Sequence, residues 1–534
     1  MLRNVIFSAG ARSVSSQRSI VSQFSTDPYQ PQCENPSGYW EPNGVKIIAT
    51  IGPASENYQT LNRLVANGVR IMRINLSHAT YDEIDLRVAN LRKCVGKREP
   101  NGSLRGIMFD TKGPEIRTGS FPPSPDGLDV TIRVSKGDSI TLHTSADYKH
   151  TSTCTDLYIS YPQLTSVLSL DSKVLLDDGK ISLSVQALNE ELGQVVCAVD
   201  NAGVLKSRRG VNLPNAILED LPALNEQDKE LIRYGLEHDM IDILAASFIR
   251  NLDGVLQVKE FVNDHLFNVM KLDRSTTITP MIVSKIETQE AVDNFDEILL
   301  ASDGVMVARG DLGVEVPISL VTNIQKEIVT KCNVVGKPVI VATQMLDSMA
   351  CNPLPTRAEV SDVANAVYDG ADCLMLSGET AAGDYPLETV RMMGDIIRNA
   401  ENFVQPELKR IVEVDAGRGT GRDAIAVAAK TAAEHLKAKA IIVLSNGGGT
   451  AKMIAKHRPN NLPIVCFVEN LAVGRQLQMC YGCHPIVEVG HGRTQTYVEK
   501  CIEIGVLKTG DPYILVRGQL SDRGYQSILL AGVA

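Results

Sequence analysis

Pro280-Met-Ile-Val-Ser-Lys285-Ile-Glu287 is an apolar run that ends in an ammonium and a carboxylate two residues apart. A second run starts at Asp303 and continues Gly-Val-Met-Val-Ala-Arg-Gly-Asp311-Leu-Gly313. Residues i and i+2 of a strand share a face, so the first run presents Lys285 and Glu287 together at a strand end. The second brings Asp311 towards the same place, with Gly310 and Gly313 allowing close backbone approach. Two carboxylates beside a lysine make a hard-metal site with a built-in cation, suited to an anionic oxygen substrate. The plainer alternative is a pair of surface acids or ion-pair partners. A Schiff-base lysine also competes at Lys285; adjacent metal ligands argue against it.

Working outward, the same kind of run recurs as Lys46-Ile-Ile-Ala-Thr50, Arg70-Ile-Met-Arg-Ile-Asn75, Gly106-Ile-Met-Phe-Asp110, Ile241-Asp-Ile-Leu-Ala-Ala-Ser247, Pro338-Val-Ile-Val-Ala-Thr343 and Asp372-Cys-Leu-Met-Leu-Ser377. With the two above there are eight, separated by helical patterns. Near-continuous apolar strands alternating with helices imply parallel pairing with both faces covered. Eight such units predict a closed (β/α)8 barrel of the TIM type, over 45–112 and 213–399. Nearly every run ends in a polar residue, as expected where strand C-termini surround an active site.

Residues 113–212 interrupt this pattern with strict alternation, as in Val130-Thr-Ile-Arg-Val134 and Gln194-Val-Val-Cys-Ala-Val199. Asp178-Gly179 between two apolar runs signals a hairpin. The segment reads as an inserted all-β barrel domain at the top of the main barrel, placed to act as a lid. From 400 to 534 a third block appears, read as a doubly wound α/β domain with strands near 440–444, 463–467, 485–489 and 512–516. Its turn Ser445-Asn-Gly-Gly-Gly-Thr450 is a candidate phosphate nest through Ser445, Asn446, Gly447, Gly448 and Thr450, or simply a tight turn.

The 534-residue chain carries a formal charge of −10, which disfavours broad nucleic-acid or anionic-membrane binding. No apolar run approaches the ~18 residues of a membrane span. The 11 cysteines lack metal-type spacing and suit a reducing compartment; Cys480-Tyr-Gly-Cys483 reads as buried thiols. Residues 1–44 form an N-terminal extension. Its first 26 residues carry Arg3, Arg12 and Arg18, many serines and no acid. That composition predicts an organelle transit peptide, mitochondrial first, with a cytoplasmic extension as the alternative.

Arg73 and Arg117 offer planar forks that match phosphate. Asn75 and Ser77 are expected to alternate onto one strand face, beside Asp110 and Thr111 at the next strand end. These four oxygen-bearing groups of low charge suit a monovalent cation, or are simply hydrogen-bonded strand ends.

Together, Met281-Ile-Val-Ser-Lys-Ile-Glu287, Met306-Val-Ala-Arg-Gly-Asp-Leu-Gly313, Ala342-Thr-Gln-Met345, Met375-Leu-Ser-Gly-Glu-Thr-Ala381, Asp110-Thr-Lys-Gly-Pro-Glu-Ile-Arg117 and Arg73-Ile-Asn-Leu-Ser-His78 closely resemble the pyruvate kinase family, from about Lys46 to the C-terminus. The resemblance implies phosphoenolpyruvate and ADP as substrates, pyruvate and ATP as products, and a homotetramer. It implies Mg2+ held by Glu287 and Asp311, and K+ held by Asn75, Ser77, Asp110 and Thr111, with Glu115 the residue type of K+-dependent members. Arg73, Lys285, Gly310, Asp311 and Thr343 fall on phosphoenolpyruvate-contacting positions. Asn75, Leu76, Ser77, His78, Arg117 and Arg209 fall on nucleotide contacts, Arg209 standing where the family more usually has lysine. Thr343, with Ser377 and Glu379 through water, is the implied route of a proton to the enolate. The family's sugar-bisphosphate site is incompletely matched. The segment Gly490-His-Gly-Arg493 and the final loop Gly518-Gln-Leu-Ser-Asp-Arg-Gly524 look short, so ordinary fructose 1,6-bisphosphate activation is not expected.

Two other functions share parts of this pattern. A metal-dependent barrel aldolase or lyase needs the carboxylates but not Arg117, the cation cluster or the lid. A catalytically silent sensor on the same fold predicts losses at Lys285, Glu287, Asp311 or Thr343, and none is seen.

Overall fold

In a computed structural model the described residues are 43–94, 104–122, 130–218, 220–403, 421–459, 462–488, 492–521 and 524–534. The first 26 residues, Gly490 and His491 therefore lie outside them.

Eight strands close a parallel barrel: β1 (Lys46–Thr50), β2 (Val69–Asn75), β3 (Gly106–Asp110), β4 (Ile243–Ala246), β5 (Met281–Ile286), β6 (Gly304–Ala308), β7 (Val339–Ala342) and β8 (Cys373–Leu376), with β8 pairing back onto β1. Most are buried along their whole length, because helices cover one face and side chains fill the other. Ile48, Ile71, Met108, Val283, Met306, Ile340 and Met375 pack inside. A larger cluster sits between the strands and the outer helices. The helices obey their termini. Thr80 and Glu83 form a capping box that starts Tyr81–Lys93, and Thr356 and Glu359 do the same for Arg357–Asp369.

The segment after β3 forms a seven-stranded sheet in the order Ile116–Arg117, Gly210–Asn212, Lys173–Leu176, Ile181–Asn189, Gln194–Val199, Ser139–His143, Asp156–Tyr158. A bridge between Thr118 and Ile159 joins its two edges, so the sheet curls shut around Leu142, Leu157, Leu176 and Leu183. Asp177 and Asp178 adopt left-handed φ values of 51° and 56° in the turn between Lys173–Leu176 and Ile181–Asn189. This is the hairpin that Asp178-Gly179 announced.

The C-terminal sheet runs Cys483–Val487, Ile464–Val468, Ala440–Leu444, Pro512–Ser521, Gly524–Val533. The first four strands are parallel and the last is antiparallel. Two expectations need correction here. The strand read near 485–489 begins two residues earlier, at Cys483. The segment 518–524, read as a short loop, is strand up to Ser521 and again from Gly524, the two being paired, while Asp522 and Arg523 lie outside the described residues. Strand there depends on backbone pairing with the neighbouring strand.

This domain seals the bottom of the barrel. Met479 packs among the inner side chains, its carbonyl accepting from Cys373 Sγ at 3.3 Å. Gln476 donates to the Thr279 carbonyl, and the Tyr481 amide donates to Asp372. The opposite end, where the strands finish, is left for chemistry. Cys480 and Cys483 are buried free thiols. A mutual hydrogen bond and burial hold the Cys480 thiol well above its ordinary range, against a redox role.

Candidate active site

Four strand ends meet around Lys285, which is 8% exposed. Its Nζ donates to Ser247 Oγ at 2.6 Å and lies 3.0 Å from both Asp110 Oδ1 and Glu287 Oε1. Burial alone would lower its pKa, but Asp110, Glu287 and Asp311 raise it above the usual lysine value. The group is a fixed cation rather than a free amine, which disfavours the Schiff-base alternative.

Asp110 is 1% exposed and sits between two cations. Arg73 Nε donates to its Oδ2 at 2.6 Å, and Arg73 Nη1 reaches Thr50 Oγ1 at 2.9 Å. Burial pushes the Asp110 pKa up, yet Arg73 and Lys285 outweigh this and hold it below the usual range. Asp110 thus also neutralises Lys285 and Arg73, a part the spacing did not reveal.

Glu287 follows β5 and is 1% exposed. Its Oε2 accepts from the Phe248 amide at 2.6 Å, while Oε1 is buried with no aligned hydrogen-bond donor. Burial pushes its pKa above the usual carboxylate range, Asp311 adding to this and Lys285 and the Phe248 amide opposing. Asp311 is half-buried in the first turn of Arg309–Glu315, the helix that follows β6. A buried carboxylate oxygen whose near neighbour is a lysine shared with Asp110, beside a second carboxylate, fits a divalent cation. Among the described residues no three His, Cys, Asp or Glu side chains converge as a metal group. A cation held here would complete its shell from substrate and water, as Mg2+ prefers.

Thr343 follows β7 with φ 69°, and Gln344 with φ 53°, a region β-branched residues rarely enter. The bend aims Thr343 Oγ1 at the Gly310 amide, from which it accepts at 2.7 Å. Arg309 Nη2 donates to the Thr343 carbonyl at 2.7 Å and Nη1 to Asp362 at 2.7 Å, holding the bend. Ser377 and Glu379 follow β8. Glu379 is 1% exposed, its carboxylate accepting from the amides of Ser377 at 2.6 Å and Leu346 at 3.3 Å. Its protein contacts are those of a brace between two loops.

The residues after β2 depart from the expected pattern. Asn75 ends the strand, and its Oδ1 accepts from the Ser77 amide at 3.2 Å. Ser77 therefore sits in a turn rather than on the Asn75 face. Leu76 is fully buried in the outer core, so its side chain cannot meet a nucleotide. His78 is exposed. Thr111 Oγ1 accepts from the Ser247 amide at 3.0 Å. Asn75 and Asp110 are register partners across β2 and β3, so Asn75, Asp110 and Thr111 come together.

Arg117 and Arg209 lie side by side at the lid base, where Gly210–Asn212 pairs with Ile116–Arg117. Arg117 is held by Glu115 and by the Arg208 carbonyl; Arg209 Nε is 3.8 Å from Asp177. The lid touches the helix that carries Asp311. Asn212 Nδ2 donates to Glu315 Oε1 at 2.7 Å, and a Cβ at Gly179 would sit 3.5 Å from Val314. The turn before Gly449–Lys456 places Ser445 and Thr450 in buried positions, Asn446 and Gly447 exposed, and Gly448 at the N-cap with φ 75°. Sequence reasoning passed over Arg309, Phe248 and the site role of Ser247. Ser247 was visible as a polar strand end; Phe248 acts through its backbone and leaves no signature.

Residues 43–390 match the family described as pyruvate kinase, barrel domain, and 423–529 match pyruvate kinase, alpha/beta domain. The chain is 39% identical over 490 residues to a pyruvate kinase of Bacillus licheniformis, covering 91% of this chain and 79% of that one. It is 40% identical over 477 residues to a pyruvate kinase of Clostridium acetobutylicum, covering 89% and 95%. A crystal structure of a pyruvate kinase from Cryptosporidium parvum superposes with a TM-score of 0.82 at 33% identity, covering 91% and 96%. On barrel, site and likeness alike, the chain belongs to the pyruvate kinase family.

Proposed function

We propose that this pyruvate kinase transfers the phosphoryl group of phosphoenolpyruvate to ADP at the mouth formed by β2, β3, β5 and β6, with Lys285 at its centre. The observation that carries the reading is the Glu287 oxygen with no aligned donor, 3.0 Å from Lys285 Nζ and beside Asp311. Glu287 and Asp311 are assigned to Mg2+, which supplies charge neutralisation to the oxygens of the substrate. Lys285 and Arg73 stabilise the phosphoryl group, then Lys285 the enolate oxygen left behind. Gly310, Asp311 and Thr343 line the substrate, and Thr343 with Ser377 faces the carbon that takes up a proton. Arg117 and Arg209, with the Asn75–His78 turn, receive the nucleotide beneath the lid, whose closure excludes water. Asn75, Asp110 and Thr111, with Ser77 from the turn, are assigned to K+. Asp110 supplies the charge, and Glu115 fits a K+-dependent enzyme.

A coupled assay for pyruvate with ADP, Mg2+ and alternately K+ or Na+ tests this. ADP-dependent, K+-stimulated pyruvate formation is expected. Pyruvate without ADP would favour a lyase; none at all would favour a silent sensor. Targeting of residues 1–26 to the mitochondrion is proposed on composition, and a reporter fusion left diffuse in the cytosol would overturn it. The homotetramer is proposed on family likeness, for sedimentation to test. The 445–450 turn is proposed to receive one phosphate of an effector other than fructose 1,6-bisphosphate; a large shift of phosphoenolpyruvate saturation by that sugar would refute this.

A further inference from the structure

The chain leaves the barrel for the lid at Lys112–Gly113 and returns before the helix Glu226–Glu237, and one pair of side chains grips both crossings. Asp228 is completely buried. Its Oδ1 accepts from the Lys112 amide at 2.8 Å and its Oδ2 from the Gly113 amide at 2.9 Å. Asn225 Nδ2 donates to Asp228 Oδ2 at 2.7 Å and to the Gly113 carbonyl at 2.8 Å. An acid at the third position of a helix ordinarily serves its own helix end. Here Asn225 already caps that end, its Oδ1 accepting from the Asp228 amide at 2.8 Å. The Asp228 carboxylate is spent on a loop more than a hundred residues earlier, and no ion pair joins it among the described residues.

What that loop touches gives the grip a consequence. Gly113 has φ 74°, and a Cβ there would stand 2.9 Å from the Phe248 ring and 3.0 Å from Ser247 Cβ. Ser247 and Phe248 each hold one residue of the site. The Ser247 hydroxyl accepts from Lys285, and the Phe248 amide donates to Glu287. Thr111, one residue before the gripped amides, accepts from the Ser247 amide and donates its own to the Ala245 carbonyl. A shift of the 112–113 backbone is therefore transmitted to Glu287 and Lys285 through van der Waals contact and two hydrogen bonds.

We propose that Asn225 and Asp228 are positioning residues of this enzyme, seating the lid hinge against Ser247–Phe248 and so fixing the divalent-cation geometry of Glu287. The inference rests on the assignment of Glu287 to the cation. It is tested on the full chain with Mn2+ as the probe, free ion being followed by electron paramagnetic resonance, alongside thermal unfolding and amide hydrogen exchange. Asp228→Asn replaces an acceptor by an amide group facing two N–H donors. Its Mn2+ dissociation constant is expected to rise several-fold, short of the roughly tenfold to hundredfold usual for a group hydrogen-bonded directly to a metal ligand, because Asp228 acts through Gly113 and Phe248. Faster exchange at Lys112 and Gly113 is expected with it. Unchanged Mn2+ affinity with faster exchange would overturn the proposal, because a purely structural brace gives that result. If Asp228→Asn does not fold, Asn225→Ala keeps the carboxylate and removes the second grip on Gly113. A smaller weakening of Mn2+ binding is then expected, and none would overturn the idea. Glu287→Gln separates the two levels. If it leaves Mn2+ binding intact, the cation assignment itself fails and takes this inference with it. If it weakens binding while Asp228→Asn does not, only the positioning role fails.

Discussion

Lys285 Nζ stands 3.0 Å from Glu287 Oε1, yet that oxygen has no donor aligned on it, the ammonium's aligned hydrogen bond going to Ser247. The pair is close enough to neutralise charge, and the lysine stays shared with Asp110 Oδ1, also at 3.0 Å.

Removing the cation should separate catalysis from binding. Lys285→Met is expected to lower kcat by about 10²–10³-fold or more, as for loss of a preorganised charge stabiliser. It also strips a partner from two buried carboxylates, a change that typically costs about 3–5 kcal/mol. The melting temperature should therefore fall and recover in part on adding Mn2+, which takes over the neutralisation. Steady-state kinetics and calorimetry check both; retained turnover would refute the role of Lys285.

The pH dependence of cation binding follows from Glu287. Burial raises its pKa towards neutrality, so below that pH a proton competes with the cation. Mn2+ affinity should fall as pH drops from neutral towards the ordinary carboxylate range. Without cation the sign for stability is opposite. The folded state binds the proton more tightly than the unfolded one, so this group's contribution declines as pH rises from the unfolded pKa through the folded one. Titrations of Mn2+ binding and of melting temperature across that window should slope in opposite directions; Glu287→Gln should flatten both.

The lid contact predicts a split between substrates. Asn212→Ala removes the donor to Glu315, a hydrogen bond to a half-buried carboxylate worth about 1.5–3 kcal/mol. Because the lid carries Arg117 and Arg209, the KM for ADP should rise more than that for phosphoenolpyruvate. Equal changes would mean that the contact does not govern closure over the nucleotide.

The strained bend at Thr343 gives the fourth test. Thr343→Ser keeps the oxygen that accepts from Gly310 and relieves β-branching at a positive φ. It should hold activity and stability near the parent. Thr343→Ala leaves the Gly310 amide without its acceptor, at a cost of about 1–3 kcal/mol, with activity falling. Comparable activity of the two variants would remove the hydroxyl from the mechanism.

Local order in this chain is largely written in its residues. Apolar runs such as 281–286, recurring between helical patterns, read as strands buried on both faces, and their polar last residues mark which end is wet. Lys285 and Glu287 share a face because strand geometry has period two, whatever the rest of the fold does. Asp178-Gly179 makes its hairpin for equally local reasons. What no residue announces is which backbone amide, from which distant segment, will point at a side chain. The Phe248 amide on Glu287, the Asp228 grip on Lys112 and Gly113, and the Arg309 hold on Thr343 all join segments far apart in sequence. The curl of the lid sheet through Thr118 and Ile159 and the plug of Met479 are of the same kind. Amides are identical along the chain, so their use depends on closure of the barrel and on which loops it brings into register. The sequence by itself determined the barrel and the chemical groups at its mouth. Only the tertiary structure decided how those groups are held, because holding is done by long-range backbone contacts that carry no residue code.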